Sequence, residues 1–143
     1  DLDYIHSVER IGRLSNVISI NGGVQLDLMG QENAESALTR QLSGIGGQMD
    51  FLEGAFRSKG GKGFICINSS RVTKDGERRS NIVAAIPSGS TVSAPRTMID
   101  CVATEYGVAR LMGKSLRERA EAMASIAHPD FREELLKYAH EHF

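Results

Sequence analysis

Glycine clusters within QLSGIGGQMDFLEGAFRSKGGKG (residues 41–63) contain the features best suited to binding an anion. Gly44, Gly46 and Gly47 come directly before segment 48–58, whose apolar residues recur at helical spacing. Glycines ahead of a helix leave backbone amides free to bind a phosphate or an oxyanion formed in acyl transfer. The spacing matches neither a Walker loop nor a dinucleotide fingerprint, and a tight, closely packed turn would use the same glycines.

Charged residues near these glycines suggest further chemistry. Lys59 and Lys62 flank a glycine pair at the other end of the predicted helix. They could hold a phosphate, although a cation at a helix C-terminus also offsets the helix dipole. Glu105 follows a predicted strand and precedes a glycine turn, where α/β proteins often place functional carboxylates; an exposed turn glutamate is the alternative. The four histidines are scattered, so we predict neither a metal site nor a Ser-His-Asp arrangement.

Apolar periodicity predicts the elements that position these residues. Alternation predicts strands at 16–21 and 24–29, joined as a hairpin by Asn21-Gly22-Gly23. Asp75-Gly76 predicts the turn of a second hairpin with an exposed basic flank, and segment 81–86 is its predicted returning strand. A short helix is also predicted at 7–14, with further strands at 63–68, in TVSA (91–94) and in MIDCVAT (98–104).

The last third of the chain carries the clearest helix signals. Ser115-Leu116-Arg117-Glu118 is a capping box, which predicts a helix starting at this point. Pro129 suits the first position of a final helix. The apolar stripe of that helix consists of Phe131, Leu135, Leu136 and Ala139. The mixture of strands and helices predicts an α/β or α+β class.

The composition limits the classes of function. The chain has 143 residues, 41% hydrophobic and 24% charged, which suits one globular domain. A formal net charge of −1 argues against nucleic acid or a membrane surface as partner, and no apolar run could span a bilayer. Cys66 and Cys101 lie in apolar runs, so we expect buried free thiols in a reducing cytoplasm. Because the chain opens with Asp1 and not methionine, we expect a fragment or a processed product.

Four segments, taken in order, resemble the C-terminal part of the acetyl-CoA hydrolase/transferase family. They are VISINGGVQLDLMGQENAES, SGIGGQMDFLEGAFRSKGGKG, VATEYGVARLMGKSLRERA and IAHPDFREELL. The family includes 4-hydroxybutyrate, butyryl-CoA:acetate and succinyl-CoA:acetate CoA-transferases. Its members consist of two similar α/β halves. The resemblance therefore implies an α/β fold, an open mixed sheet flanked by helices, with residues 1–143 as one CoA-transferase-like C-terminal domain of a longer enzyme.

The resemblance also implies roles for individual residues. Gly47 would donate its amide to the thioester oxygen as part of an oxyanion hole, and Glu105 would be a supporting carboxylate near the thioester. Val24 and Ser43 would line the coenzyme A site, and Lys59 would lie near the coenzyme A phosphates. Several relatives have asparagine where Ser43 stands, so this position departs from the family pattern.

The implied reaction moves coenzyme A between a short acyl-CoA and a carboxylate through a glutamyl-CoA thioester. In the family the nucleophilic glutamate precedes the matched segment, so we assign no nucleophile in this chain, and Glu105 is not that residue. The implied partners are the N-terminal half, acyl-CoA, small carboxylates and further copies in a homo-oligomer. An acyl-CoA hydrolase, a non-catalytic module that binds coenzyme A, and an assembly half are the alternatives.

Overall fold

A computed structural model describes all 143 residues, in five helices and eleven strands. The helices are α1 (Leu2–Ile5), α2 (Val8–Arg13), α3 (Gln48–Arg57), α4 (Leu116–Ser125) and α5 (Pro129–His142). The strands are β1 (Ile18–Gly22), β2 (Gln25–Asp27), β3 (Glu32–Asn33), β4 (Ser36–Ala37), β5 (Arg40–Gln41), β6 (Lys62–Cys66), β7 (Ser70–Val72), β8 (Arg78–Ser80), β9 (Ile82–Val83), β10 (Cys101–Thr104) and β11 (Gly107–Arg110).

A four-stranded sheet in the order β1-β6-β10-β11 organises the chain. Strands β1, β6 and β10 run parallel, and β11 returns antiparallel to β10. Helix α3 packs on β1 and β6, and α4 packs on β11. The predicted α/β class with an open mixed sheet is confirmed.

The predicted hairpin between 16–21 and 24–29 is wrong. Strand β1 pairs with β6, whereas β2 pairs with β3 and β9 in a separate three-stranded sheet. The Gly23 amide bonds the Cys66 carbonyl, 3.3 Å away, so the chain follows β6 before it leaves the sheet. An Asn-Gly-Gly turn signal is local, and pairing with distant strands overrides it.

The second predicted hairpin is confirmed at its turn, but the strand that returns is β8 and not the predicted segment 81–86. Strands β7 and β8 pair antiparallel around Asp75-Gly76, and Gly76 adopts a φ of 83°. The strand predicted at 81–86 is limited to β9, which runs parallel to β2. The predicted TVSA strand reduces to a single bridge between Ala94 and Glu32, because no neighbouring strand continues the pairing.

The helices begin where their capping residues predict. The Ser115 hydroxyl accepts a bond from the Glu118 amide at 3.3 Å, and the Glu118 carboxylate accepts one from the Ser115 amide at 2.8 Å. Pro129 opens α5, which buries Leu135 and Ala139. Helix α3 matches the predicted 48–58 closely, but its Phe56 is 63% exposed and takes no part in the core.

One apolar core lies between one face of the sheet and the helices. Its fully buried large residues are Leu26, Leu28, Leu52, Ile65, Ile82, Ile99, Leu111, Met123 and Val102. Cys101 is buried, but Cys66 is exposed, so the expectation of two buried thiols is wrong for Cys66. Cys66 points away from the core, on the sheet face opposite Ile65.

Candidate functional site

The glycine loop lies at the carboxyl edge of the parallel strands. Helix α3 connects β1 with β6, which are parallel neighbours, so it runs back along the sheet and begins at the strands' carboxyl ends. Ligands of open α/β sheets bind at this edge. Gly47 is the N-cap of α3 without a side-chain cap, and Gly46 adopts a φ of 60°. The loop therefore offers uncapped amides at the sheet edge.

Gly47 also makes a close approach that explains why glycine is needed there. A Cβ atom at this position would lie 2.6 Å from His6 Nδ1, so no larger residue fits without displacing the imidazole. The same His6 atom lies 3.0 Å from Asp50 Oδ2 in the first turn of α3. The loop thus has the features of both alternatives: Gly47 packs closely against His6, and the amides at the start of α3 have no side-chain cap.

A buried carboxyl group, that of Glu32, is hydrogen-bonded to the first residue of α3. Glu32 of β3 is fully buried and accepts a bond from the Gln48 side-chain amide. Its second oxygen, Oε1, has no hydrogen-bond partner and lies beside Gly23. Burial raises the pKa of Glu32 to about 7, and the Gln48 bond opposes that rise. Glu32 therefore links β3, Gly23 and the glycine loop.

A cleft of about 660 Å³ opens beside Gly23 and Val24, a volume typical of small-molecule sites. Arg71 and Arg79 of the β7–β8 hairpin line it and supply positive charge. The guanidinium of Arg71 donates to the Asn81 side chain, which fixes its position. The sequence analysis assigned no binding role to this hairpin; the Arg78-Arg79 doublet after Asp75-Gly76 was the available signal.

Glu105 is held rigidly at the end of β10. Its carboxylate accepts two bonds from Ser69, one from the amide at 2.9 Å and one from the hydroxyl at 2.6 Å. Desolvation would raise the pKa of Glu105, but these two bonds outweigh it and lower that pKa. The lowered pKa keeps Glu105 ionised at neutral pH. Asn68, which precedes Ser69 in the chain, lines the cleft, so Glu105 lies near the cleft rim.

The predicted site residues fall into two groups. Val24 lines the cleft, Gly47 and Glu105 lie at the same sheet edge, and exposed Ser43 follows Leu42, another cleft residue. Lys59 is exposed beyond the other end of α3, with its carbonyl bonded by the Asn16 amide. Ten helical residues rise about 15 Å, so only a long ligand could contact both groups.

These features define a class of protein: an α/β domain that presents uncapped helix amides and a charged cleft at the carboxyl edge of its sheet. Residues 1–139 match the family model described as the acetyl-CoA hydrolase/transferase C-terminal domain. The chain belongs to this family, whose members are enzymes that act on coenzyme A thioesters.

Three known proteins illustrate the likeness. The chain is 47% identical over 135 residues to 4-hydroxybutyrate coenzyme A transferase of Clostridium kluyveri, covering 94% of this chain and 31% of that protein. It is 44% identical over 138 residues to butyryl-CoA:acetate CoA-transferase of Anaerostipes caccae, covering 96% and 31%. The crystal structure of 4-hydroxybutyrate CoA-transferase from Porphyromonas gingivalis superposes with a TM-score of 0.76 at 42% identity, covering 99% and 30%.

The chain thus spans about a third of the length of the curated relatives it matches. None of its helices combines the length and the apolar character that crossing a membrane requires.

Proposed function

We propose that this chain is the C-terminal domain of a CoA-transferase that moves coenzyme A between a short acyl-CoA and a carboxylate. The observation that carries the proposal is the uncapped glycine loop at the start of α3, beside a cleft with two arginines, in a chain of this family. Amides placed at a developing oxyanion stabilise acyl-transfer transition states.

Each site residue then has a defined task. The Gly47 amide donates to the thioester oxygen, a contribution of about 3 kcal/mol to transition-state stabilisation for one such donor. Val24 and Ser43 line the coenzyme A site, and Lys59 contacts its phosphates at the far end of α3. The ionised Glu105 orients the substrate near the thioester. The separation of Lys59 from the cleft supports this assignment, because coenzyme A carries its thiol and its phosphates at opposite ends.

The chemistry requires a nucleophile from the polypeptide that precedes this domain. A glutamate there would attack the acyl-CoA carbonyl and release the coenzyme A thiolate, leaving an acyl-glutamyl anhydride. The thiolate would then attack the glutamyl carbonyl and release the first carboxylic acid, leaving a glutamyl-CoA thioester. The acceptor carboxylate reverses these steps. Covalent catalysis of this kind replaces one difficult exchange with easier ones.

A hydrolase of the same family is the second candidate, since the family description includes both activities. Water in place of the acceptor carboxylate would release free coenzyme A, and the outcome depends on access of water to the thioester. The cleft arginines, Arg71 and Arg79, favour the transferase because they can hold a carboxylate. We further propose a cytoplasmic homo-oligomer as the working form.

The experiment that tests this function uses the longer polypeptide in which the domain occurs. Incubation with acetyl-CoA alone should give a covalent adduct in which coenzyme A is attached to the protein as a glutamyl thioester, detected by the added mass. Adding butyrate should discharge the adduct and form butyryl-CoA. Release of free coenzyme A without butyryl-CoA would identify a hydrolase, and the absence of both adduct and turnover would refute the enzymatic proposal.

Replacing Lys59 by alanine tests the phosphate contact. We expect KM for acyl-CoA to rise about tenfold with kcat little changed, because a contact remote from the reacting atoms contributes equally to ground and transition states. Lys137→Ala, which removes an exposed lysine of α5, is the matched control and should leave both constants unaltered. Equal KM values for the two variants would remove Lys59 from the site.

A further inference from the structure

One face of the four-stranded sheet has no covering layer. The residues that point toward the core from adjacent strands, Ile65, Val102 and Ala109, are buried beneath the helices. The opposite face, here called the open face, is formed by the alternate residues. They are Ile18, Ile20, Lys62, Phe64, Cys66, Cys101, Ala103, Val108 and Arg110.

The open face is apolar at its centre and exposes large side chains. Ile20 is 70% exposed, Val108 is 59% exposed and Ile18 is 52% exposed. Ile20 lies beside Phe64, which is also partly exposed, so these side chains form a continuous patch across β1 and β6. Contiguous apolar patches of this kind mark interaction surfaces.

The strand directions strengthen this conclusion. Three of the four strands are parallel, and parallel sheets occur almost only with both faces covered. Helices α3 and α4 cover a single face here. A second layer therefore belongs on the open face.

We propose that the open face is covered by the polypeptide that precedes this domain in the longer enzyme. About two thirds of each matched relative lies outside the region shared with this chain, and the family model describes the shared region as the C-terminal domain. That length is ample for a covering layer within the same polypeptide. The inference depends on family membership and not on the proposed reaction.

The borders of the open face predict the chemistry of its cover. Lys62 and Arg110 lie at one end of the open face beside buried Cys101, and Asp100 approaches Arg110 there at 3.8 Å, which leaves one net positive charge. The covering surface should therefore be apolar over Ile20 and Phe64 and should place an acidic group beside Lys62, since Asp100 already faces Arg110. At the other end, Cys66 and Gly23 line a depression of about 460 Å³ at the carboxyl edge. The cover would close over this depression and bring its own groups toward the cleft.

Side-chain footprinting of the longer polypeptide with a photoactivated carbene tests the proposal. Val72, 59% exposed on the β7–β8 hairpin, is an internal control with the same exposure as Val108 in this domain. If the upstream polypeptide covers the open face, labelling of Ile20 and Val108 falls at least about fivefold below that of Val72, because buried interface residues exclude the reagent. This protection should persist on dilution to the monomer.

Two other outcomes would overturn the proposal. Labelling of Ile20 and Val108 equal to that of Val72 would show that the face is uncovered in the longer protein. Protection that disappears on dilution would assign the face to a second copy of the chain. In a parallel measurement, Ile20→Glu should lower the melting temperature of the longer polypeptide, while Val72→Glu should not; equal melting temperatures would contradict a buried Ile20.

Discussion

Replacing Arg119 by alanine should lower the free energy of unfolding of this chain by about 4 kcal/mol, because it removes three hydrogen bonds of a buried cation and leaves their carbonyl acceptors without that donor. The Arg119 side chain of α4 is only 7% exposed. Its guanidinium donates to the carbonyls of Met29 at 2.7 Å, Leu111 at 2.9 Å and Arg96 at 2.7 Å. It thus connects α4 to the loop after β2, to the loop before β10 and to the end of β11.

Urea denaturation of the chain measures this effect. Arg117→Ala is the matched control two residues away, where an exposed arginine pairs with Glu121 at 3.2 Å. We expect that variant to change the free energy of unfolding by no more than about 0.5 kcal/mol, as for other exposed pairs on one helix. Arg119→Lys should still lose about 2 kcal/mol, since an ammonium cannot reproduce the planar set of donors. Equal free energies of unfolding for Arg119→Ala and Arg117→Ala would contradict a stabilising role of the three Arg119 hydrogen bonds.

The second large effect concerns pH and Glu32. Its pKa in the folded chain is about 7, against an ordinary value of 4.5. The folded state therefore binds more protons than the unfolded state between these values, so the free energy of unfolding falls as pH rises through this range. The stabilisation is complete below pH 4.5 and lost above pH 7. The pKa difference corresponds to about 3 kcal/mol.

Glu32→Gln isolates this contribution. Glutamine keeps an oxygen for the Gln48 amide but does not ionise, so the variant should gain about 3 kcal/mol relative to the parent between acid and alkaline pH. Glu118→Gln is a control of opposite sign, because bonds from Ser115 lower the pKa of Glu118. Its stabilising effect is present at neutral pH and lost on acidification. Urea denaturation at several pH values measures the free energy of unfolding of the parent and of Glu32→Gln. If the two free energies change with pH in parallel, Glu32 does not ionise in a buried site.

Local signals predicted the helices well. The Ser115 capping box, Pro129 at the start of α5 and the apolar spacing of α3 each depend on residues within a few positions of one another. The strand predictions succeeded in part: β1, β2, β6 and β10 overlap predicted segments, whereas β3, β4, β5 and β11 were not predicted. The predicted pairing of β1 was wrong, since β1 joins β6 about forty residues away and not its neighbour β2. Strand partners depend on the burial of distant surfaces, which a short window does not contain.

The candidate site was predicted in part. The glycine loop, Val24, Ser43, Lys59 and Glu105 came from spacing and from the family resemblance, and their roles stay predictions. Glu32 was missed because a glutamate in a polar segment predicts exposure, and only the packing of β3 against the start of α3 buries it. Arg71 and Arg79 join the cleft only because their hairpin folds beside Gly23.

By itself, the sequence determined the helix starts, the turn at Asp75-Gly76 and the family, because these depend on short segments and their order. Only the tertiary structure decided which strands pair, that the Glu32 carboxyl group is desolvated by burial, and which face of the sheet stays exposed. Those properties arise from contacts between residues far apart in the chain, such as Arg119 with Met29 or Glu105 with Ser69. The free energy of such contacts belongs to the whole fold, so no local pattern could reveal them.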